Sequence, residues 1–453
     1  MSSVSATINA TDKRVVFGLG ITGQSVARWW QQKGVNFTAI DTRADMVSDP
    51  AVLEHVNSQT AVFGEVDTDI IDGCTEMIVS PGVALDHPIV THARNQGCRI
   101  RGDIDLFMEA AQAPVVGITG SNGKSTVTAL LGEMLRACGL KVSLGGNLGR
   151  PALDLLADDP ELYVLELSSF QLERAHDLGL RLATVLNISA DHLDRYANLG
   201  EYHRAKHLIF RQVTQVVANR DDPLTIPLMP ETFETVWWRS GEPDFDEFGL
   251  REIDGVNWIC HGFNPLISGD ALQLPGRHNL ANLLAALALG SALGLPTSGL
   301  LEGAREYRGL PHRCQLVGQI GGVRFIDDSK GTNIGATVAA LEGLAGEGAI
   351  WLILGGQGKG QDFSLLKETV AQCCSGVVVL GEATADITKH LSQVITIQSV
   401  DTIEEAVACA AAQAQTGDTV LLSPACASLD MFASYVDRGQ KFHNAVNALE
   451  VVA

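Results

Sequence analysis

The segment Gly117-Ile-Thr-Gly-Ser-Asn-Gly-Lys-Ser-Thr126 restricts the fold more than any other feature. A short apolar run, Pro114-Val-Val-Gly-Ile-Thr119, leads into it. From Thr126 to Cys138 the residues Leu130, Leu131, Met134 and Leu135 recur on one helical face. A strand, a glycine-rich turn and a helix in direct succession are the context of a phosphate-binding loop. Glycines let backbone N–H groups approach phosphate oxygens, and the helix N-terminus adds partial positive charge. Lys124 is placed for terminal phosphates and Ser125 for magnesium, with Gly120, Ser121, Asn122, Gly123 and Thr126 completing a phosphate cradle. The strict spacing would put a glycine at 118, where Ile118 stands between Gly117 and Gly120, so the loop is a variant. The competing reading is a glycine turn that binds nothing.

A loop of this kind belongs to an open sheet, and the rest of the chain agrees. The first of three segments has strand candidates at Arg14-Val-Val-Phe, Val35 to Ile40, and Met77-Ile-Val, the last stopped by Pro81-Gly82. The second starts near Ile104 and adds Leu162 to Leu167 and Leu182 to Asn187, an amphipathic helix over Tyr202 to Val213 and a buried helix over Asn279 to Leu293. Within it, Met229 to Ser268 reads as hairpins. The third starts near Leu310, with strands at Ala349 to Leu354, Gly376 to Leu380 and Thr419 to Ser423. Strand and helix in alternation predict an α/β fold with mainly parallel sheets. The expected domains are 1–103, 104–309 and 310–453, the first and last Rossmann-like and the middle a P-loop ATPase.

Further polar motifs fall at the ends of these strands. Gly18-Leu-Gly-Ile-Thr-Gly23 fits a nucleotide or dinucleotide loop, with Asp41 where a ribose-binding acid lies. Tight strand-to-helix packing without a ligand fits it too. Glu166, at the end of Leu165-Glu-Leu-Ser-Ser-Phe, can coordinate magnesium beside a P-loop. His192 in Asn187-Ile-Ser-Ala-Asp-His-Leu-Asp194 and Lys206 on a helix are, taken alone, a structural histidine and a solvated lysine. Gly276-Arg-His-Asn-Leu-Ala-Asn282, Pro311-His-Arg313 and Ile326-Asp-Asp-Ser-Lys-Gly-Thr-Asn333 are each a cap or turn when read singly. Gly355-Gly-Gln-Gly-Lys-Gly360 is a further glycine loop, with Lys359 at its tip.

Composition bounds the partners. A formal charge of -21 argues against general binding to nucleic acid or anionic membrane, while phosphate loops still capture small anions. The polar start has no signal-peptide pattern, and Leu283 to Leu295 is too short to span a bilayer. The 9 cysteines contain no Cys-x-x-Cys pair, which suits reduced thiols in a cytoplasmic protein.

Taken in order, these motifs resemble the Mur ligase family, over nearly the whole chain from about Val15 to Phe442. That resemblance implies three domains binding a UDP-linked substrate, ATP and an amino acid. Gly-Leu-Gly-Ile-Thr-Gly near the start and Ser423-Pro-Ala-Cys-Ala-Ser-Leu-Asp430 near the end are similar to the D-glutamate-adding branch. The Asp-Asn-Pro-Arg motif of the diaminopimelate- and lysine-adding branch is absent. The implied substrates are UDP-N-acetylmuramoyl-L-alanine, D-glutamate and ATP, with magnesium, in a monomer. Residue by residue, the resemblance implies a UDP site at Ile21, Thr22, Asp41, Thr42, Arg43 and Gly82, with Asn147 on the muramoyl-alanine part. It implies ATP contacts from Asn279, Arg313 and Asp328, metal ligands at Ser125, Glu166, His192 and a carbamylated Lys206, and catalytic roles for Lys124, Asn147, His192 and Lys206. It implies a D-glutamate pocket of Thr332, Lys359, Ser428, Leu429 and Tyr435, the last standing where better-known members have Phe. Another Mur-type ligase with a different amino acid, an NAD-linked oxidoreductase and a regulatory ATPase module are the alternatives.

Overall fold

The computed structural model describes residues 13–56, 61–193, 195–229, 232–273, 276–346 and 348–450. The polar start up to residue 12 and Asp194 lie outside them.

The first sheet contains β1 (Lys13–Phe17), β2 (Thr38–Asp41), β3 (Ala61–Phe63), β4 (Cys74–Val79) and β5 (Arg99–Arg101), in the order β3-β2-β1-β4-β5. All of its pairings are parallel. At its centre Gly18 turns at φ +89, and a Cβ on Gly23 would lie 1.8 Å from the Gly18 carbonyl oxygen. Close strand-to-helix approach therefore requires glycine at both positions. The second strand starts at Thr38 rather than Val35, because the Val35 N–H still closes the preceding helix on the Trp30 carbonyl.

The second sheet contains β6 (Val115–Thr119), β7 (Val142–Gly146), β8 (Leu162–Glu166), β9 (Leu182–Val185), β10 (Gln215–Asn219), β11 (Glu234–Trp238), β12 (Glu247–Ile253), β13 (Val256–His261) and β14 (Asn264–Ser268). Its order is β14-β13-β12-β11-β10-β9-β6-β8-β7. Strands β6 and β8 are buried at every residue, as a strand covered by helices on both faces must be. Successive side chains of β6 enter different cores, Val115 on one face and Val116 and Ile118 on the other. The hairpins expected from Met229 onward are β12–β13 and β13–β14, both antiparallel, while β11 runs parallel to β10 and β12.

The expected helix over Tyr202 to Val213 is corrected. It runs Leu199–His207, started by the Asn198 side chain accepting from the Glu201 N–H, and tightens into a 3-10 turn over Leu208–Phe210. Gln212 then takes φ +56, which ends helical geometry before Val213.

The third sheet contains β15 (Gln315–Ile320), β16 (Val323–Asp327), β17 (Ile350–Gly355), β18 (Cys374–Leu380), β19 (Ile397–Ser399) and β20 (Thr419–Leu422). Its order is β15-β16-β20-β17-β18-β19, parallel except for β15 against β16. The helix Tyr435–Glu450 ends the described chain. Among the described residues, no helix is long and apolar enough to cross a membrane.

Candidate active site

The P-loop is held open by the segment that leaves β9. Asn187 accepts from the Asn122 N–H at 2.8 Å through its side-chain oxygen and donates to the Asn122 carbonyl at 3.0 Å. The Ser121 hydroxyl donates to the Ser189 carbonyl at 3.0 Å and accepts the Ser189 N–H at 2.9 Å. Gly123 caps the helix Lys124–Ala137 at φ +80, and a Cβ there would meet Asn282 Oδ1 at 2.5 Å. Lys124 Nζ folds back onto the Gly120 and Ser121 carbonyls, both at 2.8 Å.

These residues form one wall of a cavity of about 420 Å³. Of the expected site residues, Ser121 to Thr126, Asn147, Glu166, His192, Lys206, Asn279, Arg313, Asp328 and Thr332 all line it. The Gly120 carbonyl is at its edge, accepting from Lys206 Nζ at 2.7 Å. Glu166 is 2% exposed. Its Oε1 accepts from Asn147 Nδ2 at 2.6 Å, and its Oε2 is buried with no hydrogen-bond partner among the described residues. A buried carboxylate oxygen without a donor is costly unless a cation completes it. The donor set around it suits a hard divalent ion.

Lys206 is not the solvated lysine its helix suggests. It is 1% exposed, and its Nζ lies 4.6 Å from the Tyr202 ring centroid. Burial, reinforced by the Lys124 charge, drives its pKa well below that of an ordinary lysine, so the amine is held toward its neutral form. Burial also lowers Lys124, against the opposing pull of Glu166 and Asp191.

The opposite wall comes from residues after Leu310. Arg313 Nη2 donates to Ser125 Oγ at 2.6 Å, across 188 residues of sequence. Its neighbour His312 has φ +61 and pairs through Nδ1 with Asp327 Oδ2 at 2.6 Å. His443 Nε2 meets the same oxygen at 2.8 Å. The two imidazoles and one carboxylate thus anchor the turn that aims Arg313. Asp328 accepts from Ser423 Oγ at 2.8 Å. Burial raises its carboxyl to about 7, less than it would without Ser423 and Arg313.

A latch joins the two walls. Asp191 accepts from Lys359 Nζ at 3.0 Å and from Asn333 Nδ2 at 3.1 Å. Burial alone would raise the Asp191 carboxyl, but Lys359, His192 and Lys124 outweigh it and hold it below the usual carboxylate value. Asp191, Asn333 and Lys330 were not among the expected site residues, although each sits inside a polar strand-end motif. Lys330 lines the cavity and its Nζ lies 4.1 Å from the Tyr435 ring centroid.

Not every expected residue converges here. Ile21, Thr22, Asp41, Thr42, Arg43 and Gly82 cluster instead at the carboxyl ends of β1, β2 and β4. Asp41, expected as a ribose acceptor, is already engaged by the Leu19 N–H at 2.6 Å and by the Arg43 N–H and guanidinium. It supports the glycine loop and orients Arg43. Ser428 is buried, whereas Leu429 is 69% exposed, so of this pair only Ser428 turns its side chain inward.

Family models match the chain in three consecutive stretches. Mur ligase MurD-like, N-terminal domain covers residues 12–102, Mur ligase middle domain 118–290, and Mur ligase, glutamate ligase domain 312–426. A UDP-N-acetylmuramoylalanine--D-glutamate ligase from Pseudomonas aeruginosa is 49% identical over 439 residues, 96% of this chain and 98% of that protein. Two solved structures share the fold at lower identity. The UDP-N-acetylmuramate-alanine ligase MurC of Thermotoga maritima has a TM-score of 0.61 at 20% identity, over 96% of this chain and 99% of its own. MurF ligase of Thermotoga maritima in complex with ADP has a TM-score of 0.60 at 17% identity, over 97% and 98%.

Proposed function

This chain belongs to the Mur ligase family, and we propose that it is the ATP-dependent ligase that adds D-glutamate to UDP-N-acetylmuramoyl-L-alanine in peptidoglycan precursor synthesis. One observation supports this most: the P-loop, the orphaned Glu166 oxygen and the residues after Leu310 face a single cavity, in a chain alike from end to end to D-glutamate ligases.

The chemistry explains why ATP is needed. A carboxylate is a poor acyl donor because its leaving group would be oxide. An oxygen of the alanine carboxylate attacks the γ-phosphorus, ADP leaves, and the product is an acyl phosphate. The amine of D-glutamate then attacks the acyl carbon. The tetrahedral adduct loses a proton and phosphate, leaving the amide.

The protein's task is positioning and charge stabilisation. Lys124 neutralises charge on the transferring phosphoryl group, and Arg313 approaches the P-loop from the other wall. Asn279, Arg313 and Asp328 hold the nucleotide. Ile21, Thr22, Thr42, Arg43 and Gly82 hold the uridine diphosphate, with Asp41 orienting Arg43 and with Asn147 and His192 orienting the acyl end. Glu166, Ser125, His192 and Lys206 would hold magnesium, which when bound offsets phosphate charge. Burial lowers the Lys206 pKa and so favours the unprotonated amine, the form that adds carbon dioxide, and a carbamate there would replace a repelling cation with an oxygen ligand. Thr332, Lys359, Ser428, Leu429 and Tyr435 form the D-glutamate pocket. Lys359 exchanges Asp191 for a substrate carboxylate as the pocket fills. Work in the cytoplasm as a monomer belongs to the same proposal.

The test is phosphate release from ATP in the presence of UDP-N-acetylmuramoyl-L-alanine, with D-glutamate, L-glutamate and meso-diaminopimelate tried separately. Release should require both the UDP substrate and D-glutamate. Release with diaminopimelate instead would overturn the pocket assignment, and release with neither would overturn the ligase.

A further inference from the structure

The D-glutamate pocket proposed above is assembled from three loops: the one after β16 carrying Thr332, the one after β17 carrying Lys359, and the one after β20 carrying Ser428, the last two joined by an isolated antiparallel bridge between Gln357 and Ala427. One arginine reaches the Thr332 and Ser428 loops and the end of β17. Arg438, on the first turn of the helix Tyr435–Glu450, is 1% exposed. Its Nε donates to Ser329 Oγ at 3.0 Å, and its Nη2 donates to the Ser329 carbonyl at 2.8 Å and the Cys426 carbonyl at 3.1 Å. Its Nη1 lies 3.4 Å from both the Gly355 and the Ala427 carbonyls. The packing around it admits nothing larger. A Cβ on Gly356 would sit 2.2 Å from the Ala427 carbonyl oxygen and 3.2 Å from Arg438 Nη1.

These acceptors are backbone carbonyls and a hydroxyl rather than carboxylates. Burial of the guanidinium lowers its pKa to about 10. What its planar fork of donors does supply is fixed relative placement of the segments it bridges, which the single ammonium of lysine cannot reproduce. The same helix begins at Tyr435, assigned above to the pocket, and the Tyr435 carbonyl accepts from Ser329 Oγ at 2.8 Å.

We infer that Arg438 is a positioning residue for the amino-acid substrate: it holds the Thr332, Lys359 and Ser428 loops at the spacing that recognises D-glutamate, without touching the substrate. The inference rests on the D-glutamate reading above. The full-length wild type is assayed first, so that a lack of D-glutamate dependence counts against that reading and not against Arg438.

The variants are R438M, which keeps bulk without donors, and R438K, which keeps the charge and carries the test if R438M does not fold. In both, KM for D-glutamate should rise by about tenfold or more, the scale of losing about one charged hydrogen bond's worth of loop placement. KM for ATP and for the UDP substrate should stay within about twofold. The preference for D- over L-glutamate should fall, with R438K between wild type and R438M. Equal rises in all three KM values, or a loss of thermal stability with D-glutamate KM and stereochemical preference unchanged, would overturn the inference in favour of a purely structural arginine.

Discussion

Asp191 joins the P-loop half of the cavity to the half built after Leu310, so Asp191→Asn should loosen that junction while keeping the shape of the side chain. The pair with Lys359 spans 3.0 Å, with side chains 14% and 8% exposed. At an effective dielectric of about 20, attraction at that separation is about 5 kcal/mol. Desolvation of two mostly buried groups offsets much of it. Asparagine still offers an oxygen to Lys359, and the flexible lysine stem reaches toward water once its partner is neutral. The net cost is therefore about 1–3 kcal/mol, a shift of about 5- to 150-fold between closed and open forms. Hydrogen exchange in the absence of substrates reads this directly. The Ala336 N–H bonds to Asn333 Oδ1, and Asn333 also donates to Asp191. Exchange at the start of the helix Ile334–Leu344 should speed up within that range in D191N, to a similar degree in K359M, and little further in the double variant. Unchanged exchange, or effects that simply add, would refute the latch.

Lys124→Ala should lower turnover by about 100- to 1,000-fold or more, as for loss of a charged transition-state donor, while UDP-substrate binding measured by calorimetry stays within about twofold. A matching loss of UDP affinity would contradict separate sites. Lys206 should take up carbon dioxide: a carbamate resonance from ¹³C-bicarbonate is expected in wild type and absent in K206A, which should also be inactive. The Asp328 carboxyl, raised to about 7 in the fold, keeps its proton where the unfolded chain has lost it near pH 4. The folded state then binds more protons, so this group's contribution to stability falls as pH rises from about 4 to about 7. Urea unfolding at pH 5 and pH 8 should show a wild-type decline relative to D328N; parallel profiles would contradict it.

What the sequence made legible follows from how local each signal is. The P-loop was readable because strand, glycines, lysine and helix are contiguous, so one short segment fixes both its geometry and its chemistry. The alternation of buried strands with helices gave the parallel sheets for the same reason. The latch was not readable, because Asp191 meets Lys359 across 168 residues and Asn333 across 142. Each of those residues alone reads as a turn or a cap. Lys206 and Arg438 look like ordinary helical surface cations until tertiary packing buries them, and burial is what lowers the Lys206 pKa and gives Arg438 its carbonyl partners. The helix expected through Val213 failed on one backbone feature, the left-handed Gln212, which apolar spacing does not encode. The choice of D-glutamate came from likeness to relatives, since residue spacing carries no information on substrate chirality.

The most direct test of the ligase chemistry follows an oxygen atom. UDP-N-acetylmuramoyl-L-alanine labelled with ¹⁸O in its alanine carboxylate is incubated with ATP, magnesium and D-glutamate, and the released phosphate is analysed by mass. If the carboxylate is phosphorylated first, the bridging oxygen leaves with phosphorus, and each phosphate formed in the D-glutamate-dependent reaction carries one label from the substrate. Unlabelled phosphate, released at the same rate with or without D-glutamate, would contradict the acyl phosphate and with it the proposed function.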